Sequence, residues 1–81
     1  MEPIRNPTES DLAALVDAHG ILRGLRVPRT GDFFVWPAQA AGHVPMADAL
    51  EDQGRIAPGE PLERLVIDNP ADAWWLYRDA P

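Results

Sequence analysis

Cysteine, lysine and long apolar runs are all absent from this 81-residue chain. Without cysteine there is no disulfide framework, no thiolate metal site and no cysteine nucleophile. No stretch reaches the roughly 18 apolar residues that a membrane-spanning helix needs, and residues 1–5 lack the basic and apolar regions of a signal peptide. We therefore expect a protein of the reducing cytoplasm, in the cytosol of a host cell, without membrane contact.

The length and composition predict one small domain. Independently folding chains start at roughly 60 residues, and this chain is only slightly longer. Apolar residues make up 46% of it, but twelve of them are alanine, which leaves 25 large apolar side chains for a core. We expect a single domain over 1–81 with an ordered core at about 8–79, too small to surround a deep enzyme cleft.

Acidic residues outnumber basic residues in the chain. Thirteen acidic residues against seven arginines give a net charge of −6. Such a field repels nucleic-acid backbones and attracts basic protein surfaces, although a charge of this size also serves solubility alone. Arginine without lysine, together with abundant alanine, proline and glycine, is typical of a GC-rich bacterial or phage genome.

Turn and capping residues divide the chain into short elements. Thr8 and Asp11 form an approximate capping box before a helix over 9–19, which ends at Gly20. Branched and aromatic residues predict a hairpin with strands at 21–27 and 33–36. Pro45 fits the first turn of a second helix over 45–53.

The last third of the chain allows two interpretations. Strands at 62–67 and 73–77 would be joined by a type I turn at 69–72. Alternatively, Asn69 caps a C-terminal helix that begins at Pro70. We adopt the hairpin, which gives an α+β domain of order αββαββ with an antiparallel sheet of about four strands and two helices.

Large apolar side chains alternate onto both faces of the predicted sheet. Phe33 and Val35 point to one face, and Phe34 and Trp36 to the other. Either the two helices cover opposite faces, or one aromatic face is open to a partner or to a second copy of the chain. In the second case the candidate contacts are Trp36, Trp74 and Tyr77.

Basic residues are concentrated in residues 21–30. Arg23, Arg26 and Arg29 give this stretch a charge of +3, but Arg23 and Arg26 project to opposite faces of a strand. They do not make one phosphate clamp, so we expect no direct contact with nucleic acid. Pairing with the acidic second helix explains this basic cluster more simply.

Acidic residues are concentrated on the second helix. Asp48, Glu51 and Asp52 share one helical face, and Glu60 follows in the next loop. The common role of such a face is contact with solvent. The functional alternative is an electrostatic contact with a basic protein surface that ordinarily binds phosphates.

His43 is the candidate acid-base group, because it precedes a helix and lies near the basic hairpin in the predicted fold. General acid-base catalysis also needs an orienting partner and an electrostatic stabiliser, which the sequence does not identify. Metal, phosphate-loop and nucleophile-elbow motifs are absent. We therefore assign no catalytic residue, metal or cofactor, and expect His43 to be a helix cap or a packed loop residue.

Residues 30–38 (TGDFFVWPA), with His43 beyond them, resemble a segment of small uncharacterised phage and prophage proteins. In those proteins a strand ending in Val-Trp leads into a helix start that contains histidine. Pro45 departs from that pattern. In size and acidity the chain is also similar to phage-encoded inhibitors such as anti-CRISPR proteins, which implies inhibition of a host protein.

These observations favour a small acidic protein-binding inhibitor, encoded by a phage or mobile element, that occupies a basic or nucleic-acid-binding surface of a host protein. Two alternatives stay open. One is a minimal nuclease or transferase that uses His43 with Arg23 or Arg26. The other is a non-catalytic subunit or homodimeric module.

Overall fold

The computed structural model describes residues 2–71 and residue 73. It confirms the predicted class, a small α+β domain with two helices and a four-stranded antiparallel sheet. In chain order the elements are β1 (Ile4–Arg5), α1 (Glu9–His19), β2 (Leu22–Val27), β3 (Asp32–Pro37), α2 (His43–Asp52) and β4 (Glu63–Ile67).

Helix α1 has the predicted bounds because both of its ends are encoded locally. The Asp11 amide donates to Thr8 Oγ1 at 3.1 Å, and the Thr8 amide donates to Asp11 Oδ2 at 3.0 Å, which completes the capping box. At the other end Gly20 adopts a φ of 76°, a left-handed conformation that suits glycine, and its amide bonds to Val16 O.

The strands lie in the order β1-β3-β2-β4, and every neighbouring pair is antiparallel. The predicted β2–β3 hairpin is confirmed, with Leu22 opposite Pro37 and Val27 opposite Asp32. Strand β4, also predicted, pairs with the other side of β2, with Leu22 opposite Ile67.

The predicted order αββαββ is wrong, because a strand precedes α1. Strand β1 pairs with β3, so the order from β1 to β4 in the described residues is βαββαβ. The predicted ordered core of 8–79 left this strand out. Asn6 holds it in place: the Asn6 amide donates to Phe33 O at 2.6 Å, and the Phe33 amide donates back to Asn6 Oδ1 at 2.9 Å.

The predicted second hairpin is wrong at its turn and at the first residue of its second strand, and the alternative interpretation is supported. Pro70, Ala71 and Ala73 have helical backbone. The Ala71 amide donates to Asn69 Oδ1 at 3.1 Å, the bond that an N-capping asparagine makes. Residues 74–77, where a strand was predicted, lie outside the described residues.

The helices cover opposite faces of the sheet, and the topology explains why. Helix α1 connects β1 to β2, and α2 connects β3 to β4, each crossing one intervening strand. Both crossovers advance in the same direction across the sheet, but they leave from strands that run in opposite directions. Because such crossovers are nearly always right-handed, they must pass over opposite faces.

Each face therefore carries its own apolar cluster. On the α1 face, the centre of the cluster is Leu12, Phe33, Val35 and Ile67. On the α2 face it is Phe34, Trp36, Met46 and Leu50. Because both clusters are buried, the alternative with an open aromatic sheet face is wrong.

Helix α2 begins two residues earlier than predicted, at His43, with the extended Gly42 as its N-cap. Pro45 is thus the third helical residue, still in the first turn, where a missing N–H breaks no helical hydrogen bond. The inner face of α2 consists of Met46, Ala47 and Leu50, which are buried, whereas Gln53 is exposed.

Candidate functional site

Trp36 is not available to a partner. Its side chain is 0% exposed, and its indole Nε1 donates to Ala41 O at 3.0 Å. The prediction that Trp36 lies on an open face is therefore wrong, because α2 covers that face. The other aromatic candidates, Trp74 and Tyr77, lie outside the described residues.

The structure separates the three arginines of the predicted basic cluster. Arg23 lies opposite Trp36, on the α2 face, whereas Arg26 lies opposite Phe33, on the α1 face. This confirms that Arg23 and Arg26 project to opposite faces. Arg29 lies beyond the end of β2. The three arginines, which are close in sequence, therefore do not form one basic cluster in space.

Acidic groups near β4 pair with two of these arginines. Arg26 Nε lies 3.6 Å from Glu63 Oε2, and Arg29 Nη2 donates to Glu60 Oε1 at 2.7 Å. Intramolecular pairing was predicted, but with the acidic helix. The observed acids come from β4 and from the loop before it, because β4 returns alongside β2.

Arg23 and His43 are in direct contact, as the enzyme alternative requires. Arg23 Nη1 lies 3.2 Å from His43 Nδ1, and His43 Nε2 lies 3.1 Å from Leu65 O. Guanidinium only donates hydrogen bonds and a carbonyl only accepts them, so Nδ1 accepts and Nε2 donates. The geometry therefore assigns a neutral imidazole with its proton on Nε2.

This geometry gives His43 a packing role. Both ring nitrogens already have partners, and the ring meets Trp36 edge to face with a centroid distance of 5.9 Å. A general base needs a free lone pair aimed at a substrate proton. Arg26, the other arginine of the enzyme alternative, lies on the opposite face of the sheet.

Glu60 was predicted to contact a partner, but its carboxylate already binds Arg29. Arg29 Nε donates to both carboxylate oxygens of Glu60, at 3.0 and 3.2 Å, and Nη2 completes the bidentate pair. The hydrogen bonds from Arg29 lower the pKa of Glu60. Glu60 therefore fixes the loop before β4 to the β2–β3 turn.

Among the three predicted acidic residues of α2, two are free on the surface. Glu51 is half-buried, and its Oε1 accepts a hydrogen bond from the Gly59 amide at 3.2 Å. Asp48 and Asp52 are exposed, lie one helical turn apart and have no ion-pair partner among residues 2–71 and 73. The structure thus reduces the acidic candidate site to Asp48 and Asp52.

A shallow cleft that the sequence did not predict lies between the β2–β3 turn and the loop after α2. It has a volume of about 400 Å³, and its walls include Val27, Ile56 and Arg55. The Arg55 guanidinium stacks over the Phe34 ring at 4.9 Å from the centroid. Arg29 and Glu60 also line the cleft, but they neutralise each other. No motif marks this cleft, because residues distant in sequence form it.

Comparison with known proteins assigns no family to the chain: no family model, curated protein or solved structure matches it. Within the described residues, no three His, Asp or Glu side chains are grouped as metal ligands. None of the helices in that part of the chain has the length and apolar character to cross a membrane.

Proposed function

We propose that this chain is a small non-enzymatic binding protein that contacts a basic protein surface through the outer face of α2. The observation that carries the proposal is the pair Asp48 and Asp52, two exposed carboxylates on one helical face without an ion-pair partner in the described part of the chain. Complementary charge of this kind speeds association and orients the partners.

The position of Asp52 on α2 supports a role other than folding. Asp52 is the last residue of the helix, and the last turn contains no basic side chain. Negative charge at a helix C-terminus opposes the macrodipole and costs about 0.3–1 kcal/mol. By contrast, α1 follows the stabilising pattern, with acids in its first turn and His19 in its last.

A basic protein surface that binds acids of this kind is commonly one that binds nucleic-acid phosphates. Two carboxylates that occupy its arginines or lysines would compete with those phosphates. The binding protein would then act as an inhibitor of a host nucleic-acid-binding protein. The net charge of −6 supports binding to the host protein rather than to its nucleic acid, since this charge repels nucleic acid from the chain itself.

The test uses affinity capture from bacterial lysate with three immobilised proteins, the wild type and two double variants. The captured partner is then purified, and its affinity for each of the three is measured by titration. Asp48→Arg/Asp52→Arg reverses the proposed contact, and Glu2→Arg/Asp17→Arg makes the same charge change at exposed positions outside α2. We expect the first variant to lose the partner and the second to retain it. Exposed charge reversals change stability by less than about 0.5 kcal/mol, so both variants should fold.

Two results would contradict the proposal: equal capture by both variants, or no stoichiometric partner for the wild type. A single-stranded oligonucleotide added to the purified complex tests inhibition separately. We expect it to displace the protein as its concentration rises. If the oligonucleotide does not change the binding, the inhibitor function is rejected, whereas the acidic contact is retained.

A further inference from the structure

The outer edge of β4 is open in the described part of the structure. Strand β4 is the last in the sheet order, and within residues 2–71 and 73 it pairs only with β2. An open edge presents unpaired N–H and C=O groups to any other strand. The opposite edge, β1, has only two residues, so β4 is the longer template.

The hydrogen-bond pattern identifies which backbone groups of β4 face outward. The Ala38 amide bonds to Ile21 O, so odd-numbered residues of β2 direct their polar groups toward β3. Even-numbered residues of β2 therefore bond to Leu65 and its alternate neighbours in β4. The backbone groups of Arg64 and Val66, and of Asp68 if the strand continues, consequently point outward.

Exposed apolar side chains lie beside this edge. Val66 is 64% exposed and lies on the α2 face, directly opposite Arg23. The other large exposed apolar residues of the described chain are Val44 and Ile21. Val44 follows His43, which bonds to Leu65 O, and Ile21 directly precedes β2. Val66 is therefore the large exposed apolar side chain of β4 itself.

We propose that β4 pairs antiparallel with β4 of a second copy of this chain, with Val66 opposite Val66 of that copy. In this register the outward-facing residues 64, 66 and 68 of each copy pair with one another. Arg64 lies opposite Asp68 of the second copy, and symmetry repeats this ion pair. A register centred on Arg64 would instead oppose two arginines.

The charges of Arg64 on β4 and of Asp68 directly after it favour a second copy over an unrelated strand. Arg64 and Asp68 are both exposed, have no ion-pair partner in the described chain and stand two residues on either side of Val66. Because the two charges are opposite in sign and equally far from Val66, the strand is complementary to a second copy of itself. The pairing joins the two sheets into eight strands and places both α2 helices on the same face, where the two Val66 side chains lie opposite one another.

Sedimentation velocity at about 10–500 µM protein provides the first test, because small interfaces have dissociation constants between about 1 µM and 1 mM. We expect the wild type to form a dimer and Val66→Lys to stay monomeric, since this change places two like charges on the symmetry axis. A monomeric wild type, or a dimeric Val66→Lys, would overturn the proposal. Far-UV circular dichroism verifies that the variant is folded.

Charge exchange tests the register. Arg64→Asp and Asp68→Arg each place like charges opposite one another twice, so we expect each to weaken the dimer at least about tenfold. The double variant restores opposite charges and should dimerise as the wild type does. Asp17→Arg on α1 is the matched control and should have no effect. Failure of the double variant to recover would reject this register.

A single cysteine at position 66 tests directly whether Val66 lies on the symmetry axis of the dimer, because the chain has no cysteine of its own. Opposite residues in a hydrogen-bonded antiparallel pair have Cα atoms about 5.5 Å apart, within the roughly 4.4–6.8 Å that a disulfide spans. Val66→Cys should therefore oxidise to a covalent dimer, whereas Ala13→Cys on the exposed side of α1 should not. Equal cross-linking of both would contradict the proposal.

Discussion

Single side chains in this protein contact several neighbours at once, and His43 is the clearest example. Its ring accepts from Arg23, donates to Leu65 O and packs against Trp36. These contacts join the first turn of α2 to three strands of the sheet. A residue chosen from the sequence as a candidate base thus has the contacts of a packing residue.

Substitutions of His43 separate the contribution of its hydrogen bonds to stability from that of its ring packing. His43→Ala removes both hydrogen bonds and the ring, and we expect a loss of about 1–3 kcal/mol of unfolding free energy. His43→Phe keeps a ring beside Trp36 but removes the bonds, so its loss should be smaller. Urea unfolding followed by far-UV circular dichroism measures both. A His43→Ala variant as stable as the wild type would return His43 to the candidate catalytic groups.

At the scale of elements, strand β1 depends on one acidic side chain. Asp32 accepts from Arg5 Nη2 at 3.1 Å, from Asn6 Nδ2 at 3.3 Å and from Thr30 Oγ1 at 3.2 Å. Partial burial alone would raise the pKa of Asp32, but these hydrogen bonds together outweigh it and lower the pKa. Protonation of Asp32 therefore removes support from β1.

We expect acid to destabilise the protein through Asp32. A carboxyl whose pKa is lower in the folded state contributes stability above its unfolded value, near 3.8, and loses it as the pH falls through the folded value. The unfolding free energy of the wild type should therefore fall below about pH 5. Asp32→Asn should be less stable at pH 7 but show a flatter acid limb. Urea unfolding between pH 2.5 and 7 tests this, and parallel limbs would contradict it.

Helix α1 and the β2–β3 hairpin, which the sequence predicted correctly, are encoded locally. Thr8, Asp11 and Gly20 specify α1 within its own residues, and the β2–β3 hairpin needs only its turn. Strand β1 was missed because a two-residue strand has no periodicity, and its pairing depends on Phe33, far along the chain. Asn69-Pro70 suits both a turn and a helix start, so local chemistry did not decide between them.

The candidate site was less predictable than the fold, since its pairings are long-range. Arg29 and Glu60 are 31 residues apart, and Arg23 and His43 are 20 residues apart. Charge alone identified the acidic face of α2, but it did not show that Glu51 and Glu60 already have partners. The sequence pattern placed Phe34 and Trp36 on one sheet face, and only the crossover geometry shows which helix covers them.

At the scale of the whole molecule, one sheet separates two apolar clusters that no single helix could cover. Neither helix folds stably alone, because isolated helices of fewer than about 12–15 residues are marginal in water. Each helix needs the sheet, and the sheet needs both helices to bury its aromatic residues. This mutual dependence favours one cooperative unfolding transition over separate transitions for the two faces.

Two conservative truncations, one on each face, test this cooperativity. Ile67 belongs to the α1-face cluster and Ile56 to the α2-face cluster, and both are buried. We expect Ile67→Val and Ile56→Val each to cost about 0.5–1.5 kcal/mol, because each removes one buried methyl group. If the sheet couples both faces, each variant shifts the whole transition, by roughly 4–8 °C per kcal/mol for a domain of this size. The double variant should lose the sum of the two within about 0.5 kcal/mol, since the side chains lie on opposite faces.

Thermal unfolding followed by circular dichroism and calorimetry measures this, with the ratio of van't Hoff to calorimetric enthalpy as the control for two-state behaviour. Two resolved transitions, each sensitive to one variant, would show that the faces unfold independently and would contradict a shared sheet as the source of cooperativity.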